Sequence, residues 1–359
     1  MIKARGVDLL AVDEAHCISQ WGQDFRPEYS RVGEIRKELG SPCFLAATAT
    51  ATPKVQQDIV SILSQSSEDV KSFVSSVNRP NLAINVHDLY GEDSKVRSIF
   101  ALRHQVPGPM IVYSSLISSL HRIGDELSKL GLEFLVYHGQ MKPGQRRAAQ
   151  EEFISSDKAM ILATPAFGLG VDKHNVRSVV HAELPRSIED FFQEIGRAGR
   201  DGLESQSHLL LDEDDVATQM DFIKWSTPES SFIESVYQII KKNKDKVWQG
   251  GRDYIREQMN FYNRRDFRVE TAVNLLERWE CIKVDERRSN QMEVIADLPE
   301  ELLKSDRGEE RRNSLNSKLL QMLHWAQDTD NCRMKSIRTY FGENDVDECG
   351  KCDVCVQQK

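Results

Sequence analysis

Residues 110–137 read MIVYSSLISSLHRIGDELSKLGLEFLVY. Met110–Tyr113 and Phe134–Tyr137 are short apolar runs without alternation, the pattern of strands buried on both faces. Between them, 116–130 carries apolar residues at helical spacing and ends at Gly131. Strand, helix, strand predicts a βαβ unit, hence a parallel sheet with helices on its faces.

The rhythm continues in both directions. Downstream, 143–155 reads as a helix, Met160–Ala163 and Val176–His181 as strands, 187–196 as a helix and 207–211 as a strand. Upstream, 7–12 (VDLLAV) and 43–47 (CFLAA) read as strands, with helices at 28–39 and 53–64, the latter with Pro53 in its first turn. Two blocks result, 1–84 and 85–216. The first is short, because two strands do not make a stable doubly wound sheet. Beyond 216 come helical spacings at 233–243 and 269–279, then apolar runs 281–284 and 293–296 flanking polar Asp285–Gln291. Helices followed by a hairpin suggest a winged helix over 217–309. A long helix at 310–327 leads into the last segment, 310–359.

The 359 residues carry 47 Lys+Arg against 56 Asp+Glu, a net charge of −9. That length implies two to four domains. The acidic total argues against a histone-like coat on nucleic acid, although 241–288 is locally basic. No run of eighteen apolar residues exists, which excludes a transmembrane helix, and Asp8, Asp13 and Glu14 do not suit a signal peptide. The expected location is the cytosol or nucleoid, or the nucleus in a eukaryote. Of seven cysteines, Cys332, Cys349, Cys352 and Cys355 crowd the C-terminus. An odd count in a cytosolic chain argues against a disulfide framework.

Three motifs carry chemistry. Asp13-Glu14-Ala15-His16 ends a strand, where one carboxylate can hold Mg²⁺ beside nucleotide phosphates and a second can orient water. At 193–202 the chain reads QEIGRAGRDG; Arg197 and Arg200, three apart on a helix, face the same way and suit phosphate oxygens. Cys349-x-x-Cys352-x-x-Cys355 with Cys332 supplies four thiolates for Zn²⁺ or an iron–sulfur cluster. Trp21, Phe25 and Tyr29 recur every four residues with Arg26 beside them. They form either a core stripe or a base-stacking platform.

As an ordered set these motifs resemble the RecQ family of DNA helicases, in helicase superfamily 2. Asp13–Tyr29 resembles its motif II and aromatic-rich loop, Ala46–Thr50 motif III, Asn78–Leu82 (NRPNL) the link between its two RecA-like domains, Ile111–Ser115 motif IV, Ala163–Arg177 motif V and Gln193–Gly202 motif VI. Cys332–Glu343 (CRMKSIRTYFGE) resembles its zinc-binding subdomain. The resemblance implies an α/β fold: two RecA-like parallel-sheet domains, the first incomplete, then a helical, winged-helix-like segment and a small four-cysteine zinc module. It implies ATP, Mg²⁺ and Zn²⁺ as ligands and single-stranded and forked duplex DNA as partner. Asp13 would take Mg²⁺ and Glu14 would act on water. His16, Thr48 and Thr50 would couple nucleotide state to DNA grip. Gly170, Asp172 and Gln193 would line the cleft, and Arg197 and Arg200 would reach the γ-phosphate, with Arg200 as arginine finger. Trp21, Phe25 and Arg26 would sense single-stranded DNA, while Arg264, Arg265 and Arg268 would grip duplex phosphates.

Two departures stand out. About a hundred residues separate the helicase core from the cysteines, and nowhere does the chain read G-x-x-x-x-G-K-[S/T]. The expectation is therefore a 3′→5′ DNA helicase of recombination and repair whose sequence starts after its phosphate-cradling loop. The alternatives are a non-catalytic DNA-binding remnant and an RNA helicase of the same superfamily.

Overall fold

A computed structural model describes residues 6–19, 29, 31–64, 70–168, 171–259, 266–285, 290–299 and 307–358. They fall into two compact units, one made of 1–216 with 318–359, the other of 217–317.

The first unit opens with β1 (Leu9–Val12) and β2 (Cys43–Ala46), paired in parallel with Val12 opposite Ala46. A single 3-10 turn, Ala15–Ile18, follows β1. Helices α1 (Val32–Glu38) and α2 (Pro53–Leu63) complete this part. Val12, Ala15, Ile18, Val55, Ile59 and Leu63 form its small core. Pro at the start of α2 is compatible there because the first helical N–H needs no partner.

The larger part is a six-stranded, all-parallel sheet of order β3-β8-β7-β4-β6-β5. Its strands are β3 (Leu82–Asp88), β4 (Met110–Tyr113), β5 (Leu135–Tyr137), β6 (Met160–Ala163), β7 (Ser178–His181) and β8 (Ser205–Leu211). Between them run α3 (Glu92–Gln105), α4 (Ile117–Lys129), α5 (Pro143–Ser155) and α6 (Ile188–Ile195). β4, β6 and β7 are buried at every position, as their unalternated sequences require. Met110, Val112, Leu120, Ile123, Leu127, Leu162 and Val180 belong to one core cluster.

α7 (Asp214–Ser226) runs on from this sheet. In the second unit, α8 (Ser230–Lys242), α9 (Lys244–Gln258) and α10 (Arg268–Arg278) pack with an antiparallel hairpin, β9 (Ile282–Val284) and β10 (Met292–Val294). Val236, Tyr237, Val247, Ile255, Val273, Leu276 and Met292 form the core of this helix-and-hairpin arrangement. α9 is broken at Gly251, whose φ of 58° favours glycine.

α11 (Arg307–Gln327) leads to the cysteine module, which contains α12 (Arg333–Tyr340) and α13 (Asp353–Gln357). The module is anchored to the sheet edge, where Asp353 Oδ2 accepts the backbone N–H of Val86 in β3 at 3.1 Å. Among the described residues no helix is long and apolar enough to cross a membrane.

Candidate functional site

The C-terminal ends of β1 and β2 bring five of the expected residues together. The two strands hold their following loops in contact: Ala47 N–H donates to Val12 O and Ala15 N–H to Ala47 O, both at 2.9 Å. Asp13 is exposed there, and its Oδ1 accepts the backbone N–H of Glu14 at 2.9 Å. Glu14 has a left-handed φ of 49°, a conformation that costs a non-glycine residue about 1 kcal/mol or more and tends to accompany function. His16 is buried; its Nδ1 is 2.9 Å from Thr48 Oγ1 and 3.4 Å from Glu14 Oε2. Thr48 Oγ1 also accepts the backbone N–H of Thr50 at 3.3 Å. An acidic pair at the end of parallel strands therefore touches the neighbouring strand's threonine loop through one histidine.

The second group forms around 196–202. Arg197 and Arg200 do not share a helical face: α6 ends at Ile195, and both stand in the turn that follows. The reason is local, since Gly199 takes φ +59° and its N–H donates to Val176 O at 2.9 Å rather than continuing the helix. Arg197 is buried and donates from Nη1 to Gly168 O at 2.7 Å. A Cβ on Gly168 would run into that guanidinium. The Arg200 side chain is one-third exposed, at 34%, with Nη1 2.9 Å from Asp172 Oδ1. Asp172 is thus the carboxylate that holds Arg200, and Gln193 is half-buried on α6.

Sequence reasoning missed what fixes this turn. Arg79 donates from Nη2 to Ala198 O at 2.6 Å and from Nη1 to Gly196 O at 3.2 Å. Asn81 Nδ2 donates to Gly199 O at 2.8 Å and Leu203 O at 2.9 Å. Burial, with the nearby Arg200 charge, lowers the pKa of Arg79. Arg79, Arg197 and Arg200 all bond backbone carbonyls, the last that of Val171 at 3.3 Å, and Arg200 also pairs with Asp172, so three cations meet at one turn. α6 is itself held to β7 by a buried 2.8 Å contact between Glu194 Oε2 and His181 Nε2. The signal for Arg79 and Asn81 was the quoted NRPNL segment, but their acceptors lie more than a hundred residues away.

The four cysteines converge. Their Sγ atoms all lie within 4.8 Å of one another, with Cys332, Cys352 and Cys355 buried. Zn–S bonds of about 2.3 Å place tetrahedral sulfurs about 3.8 Å apart, so the set fits Zn²⁺. Backbone N–H groups point at the sulfurs: Cys349 N to Cys332 Sγ at 3.2 Å, and Cys352 N to Cys349 Sγ at 3.3 Å. Gly350, at φ +69°, makes the tight turn between Cys349 and Cys352. Hydrogen bonding from Cys349 lowers the pKa of the Cys352 thiol, the direction that favours the thiolate a metal requires. Outside the sulfurs, buried Arg333 pairs with Asp353 at 3.0 Å and donates to Trp325 O at 2.6 Å.

Residues 93–202 match the family model of the helicase conserved C-terminal domain, and residues 288–356, which include all four cysteines, match that of the RecQ zinc-binding region. The chain is 38% identical over 255 residues to a probable ATP-dependent DNA helicase RecS of Bacillus subtilis, covering 71% of this chain and 51% of that protein. It is 37% identical over 246 residues to the ATP-dependent DNA helicase RecQ of the same organism, covering 68% and 40%. The chain belongs to the RecQ family. A mouse bifunctional 3′-5′ exonuclease/ATP-dependent helicase WRN is 34% identical over 244 residues, 67% of this chain and 17% of that protein. The chain therefore spans about half, or less, of the length of these curated relatives.

Membership of the RecQ family assigns the cysteine cluster to zinc rather than to iron and sulfur. Of the nucleic-acid residues expected for a RecQ protein, Trp21, Phe25, Arg26, Arg264 and Arg265 lie outside the described residues, as does Gly170. Arg268 begins α10, where its Nη2 is 2.9 Å from Asp266 Oδ2 and its guanidinium stacks 5.0 Å from the Phe232 ring centre. The Asp266 carboxylate also accepts the Arg268 backbone N–H at 2.9 Å, so the pair closes the start of that helix.

Proposed function

We propose that this chain acts in ATP-dependent unwinding of DNA with 3′→5′ polarity, as RecQ-type enzymes of recombination and repair do. The observation that carries the reading is the arginine turn. Three guanidiniums meet at one backbone turn, those of Arg197 and Arg200 from the turn itself and that of Arg79 from residues 76–81; each bonds a carbonyl and Arg200 also Asp172, and together they make a site for a polyanion such as a triphosphate.

In this reading Asp13 would hold Mg²⁺, which would supply charge neutralisation for phosphoryl transfer. Glu14 orients the attacking water, Arg197 shapes the phosphate side through Gly168, and Arg200 leaves Asp172 for the γ-phosphate. Gly170 and Gln193 line the same cleft. His16 passes the state of the carboxylates to Thr48 and Thr50. Trp21, Phe25 and Arg26 read single-stranded DNA, and Arg264, Arg265 and Arg268 approach the duplex. The zinc module stabilises the fold, and the protein works where DNA is, in the cytoplasm and nucleoid or in a nucleus.

The test is strand separation by the protein purified from its native source. Duplexes with a single 3′ tail should separate with Mg-ATP, and duplexes with a 5′ tail should not. Failure on both tails would remove the reading, and preferential separation of RNA duplexes would replace it with an RNA helicase.

A further inference from the structure

Three successive residues after α12 touch three different parts of the first unit. The Phe341 ring lies 5.2 Å from that of Phe192 on α6, the helix that leads into the arginine turn. Gly342, at φ +90°, is so close to Pro53 that a Cβ would meet its Cγ at 2.6 Å. Pro53 opens α2, which directly follows the Thr48–Thr50 loop. Glu343 accepts the backbone N–H of Val77 at 2.7 Å and the Ser76 hydroxyl at 2.9 Å, and is held by Arg338 of α12 at 2.7 Å. Two residues beyond Val77, Arg79 and then Asn81 bind the carbonyls of Gly196, Ala198 and Gly199. A hydrogen-bonded line thus runs from the zinc module through residues 76–81 to the arginine turn. A second brace runs beside it: Lys318 of α11 meets buried Glu189 of α6 at 2.9 Å.

Val77, Arg79 and Glu343 on this line are partly buried and Ser76 is exposed, and each pair fixes its neighbour. A turn built from glycines has little stiffness of its own. Its geometry is therefore set by what grips it.

We propose that Phe341, Gly342 and Glu343 form a positioning element that holds the arginine turn, with Glu343 as its key residue, so that the integrity of the zinc module is felt at Arg197 and Arg200. None of the three belongs to the residues assigned to the nucleotide above. The consequence for catalysis rests on the ATPase reading above; the mechanical coupling does not.

Hydrogen exchange separates the two. Amides of Gly196, Arg197, Ala198, Gly199 and Asp201 are all hydrogen-bonded, so the turn reports its own opening. In Glu343→Ala these amides should exchange about tenfold faster, with one zinc per chain retained and α12 protection unchanged. Glu343→Gln, which still accepts from Val77, should restore most of the protection. Should Glu343→Ala lose its zinc, Ser76→Ala takes its place, with a smaller rise at the same amides. Unchanged exchange at 196–201 in the zinc-loaded Glu343→Ala protein, or in Ser76→Ala where that stands in, would overturn the proposal. In turnover assays Glu343→Ala should lower kcat for ATP with little change in KM. A wild-type protein without ATPase activity would remove the catalytic reading and leave the exchange result to judge the coupling.

Discussion

Nδ1 of His16 lies 2.9 Å from Oγ1 of Thr48, across the two parallel strands that end in Asp13-Glu14 and in the threonine loop. His16 is buried and its ring is also close to Glu14, so a change at the carboxylates reaches the loop through this one histidine. His16→Ala should therefore leave the fold intact and uncouple the two events. The ratio of DNA-stimulated to basal ATP hydrolysis should fall several-fold toward one, and Thr48→Val should do the same. Equal loss of both rates would show that the pair only supports the site.

Arg79 grips the arginine turn through three carbonyls, at 2.6 to 3.2 Å. Hydrogen bonds to a charged group contribute about 1.5–3 kcal/mol each when partly buried. Arg79→Ala should lower stability by roughly 2 kcal/mol in denaturant unfolding while leaving zinc content unchanged.

Gly199 combines φ +59° with crowding: an added Cβ would meet Asn81 Nδ2 at 2.5 Å and Ser205 Oγ at 2.7 Å. Gly199→Ala should destabilise by more than about 1 kcal/mol, read as a lowered Tm. At Gly350, where φ is positive but nothing lies within 4 Å, an alanine should incur the conformational cost alone.

The cysteine cluster predicts one zinc per chain by elemental analysis. Chelation should expose α12 and α13 to proteolysis, since metal binding in such modules supplies on the order of 10 kcal/mol of folding energy. The loss should spread to β3, because Asp353 bonds both Arg333 and Val86. A brown, iron-bearing preparation would contradict the assignment.

Glu343 gives a pH dependence. Burial opposes its ionisation, but the Val77 N–H, Arg338 and Ser76 outweigh that and hold its pKa below the ordinary value. A depressed carboxylate contributes stability above its unfolded value, about 4.3, and loses it as pH falls through the lower folded value. The gap in Tm between wild type and Glu343→Gln should be constant from neutral pH down to about 5 and close below about 4.

Much of the first unit could be read from local pattern. Met110–Tyr113, Pro143–Ser155 and Met160–Ala163 appear at the residues the sequence suggests, because continuous apolar runs and a helix-opening proline are local signals. Leu82–Asp88 was not singled out: it alternates with polar residues as an edge strand and is specified by pairing with Ser205–Leu211 far along the chain. α9 was hidden by Gly250 and Gly251, and α3 by its charged residues. Within the candidate site, residue types alone single out Asp13, Glu14, Arg200 and the cysteines. Arg79, Glu189 and Glu343 act through distant backbone or buried partners, and spacing carries no trace of such contacts.

The central claim is that the turn holding Arg197 and Arg200 serves ATP hydrolysis driven by DNA. The most direct measurement is single-strand-stimulated ATP turnover by the native-source protein and its Arg200→Ala variant, with zinc content and Tm matched. Turnover in the variant should fall on the order of 10³-fold, as for other arginine fingers. Unchanged turnover would contradict the account.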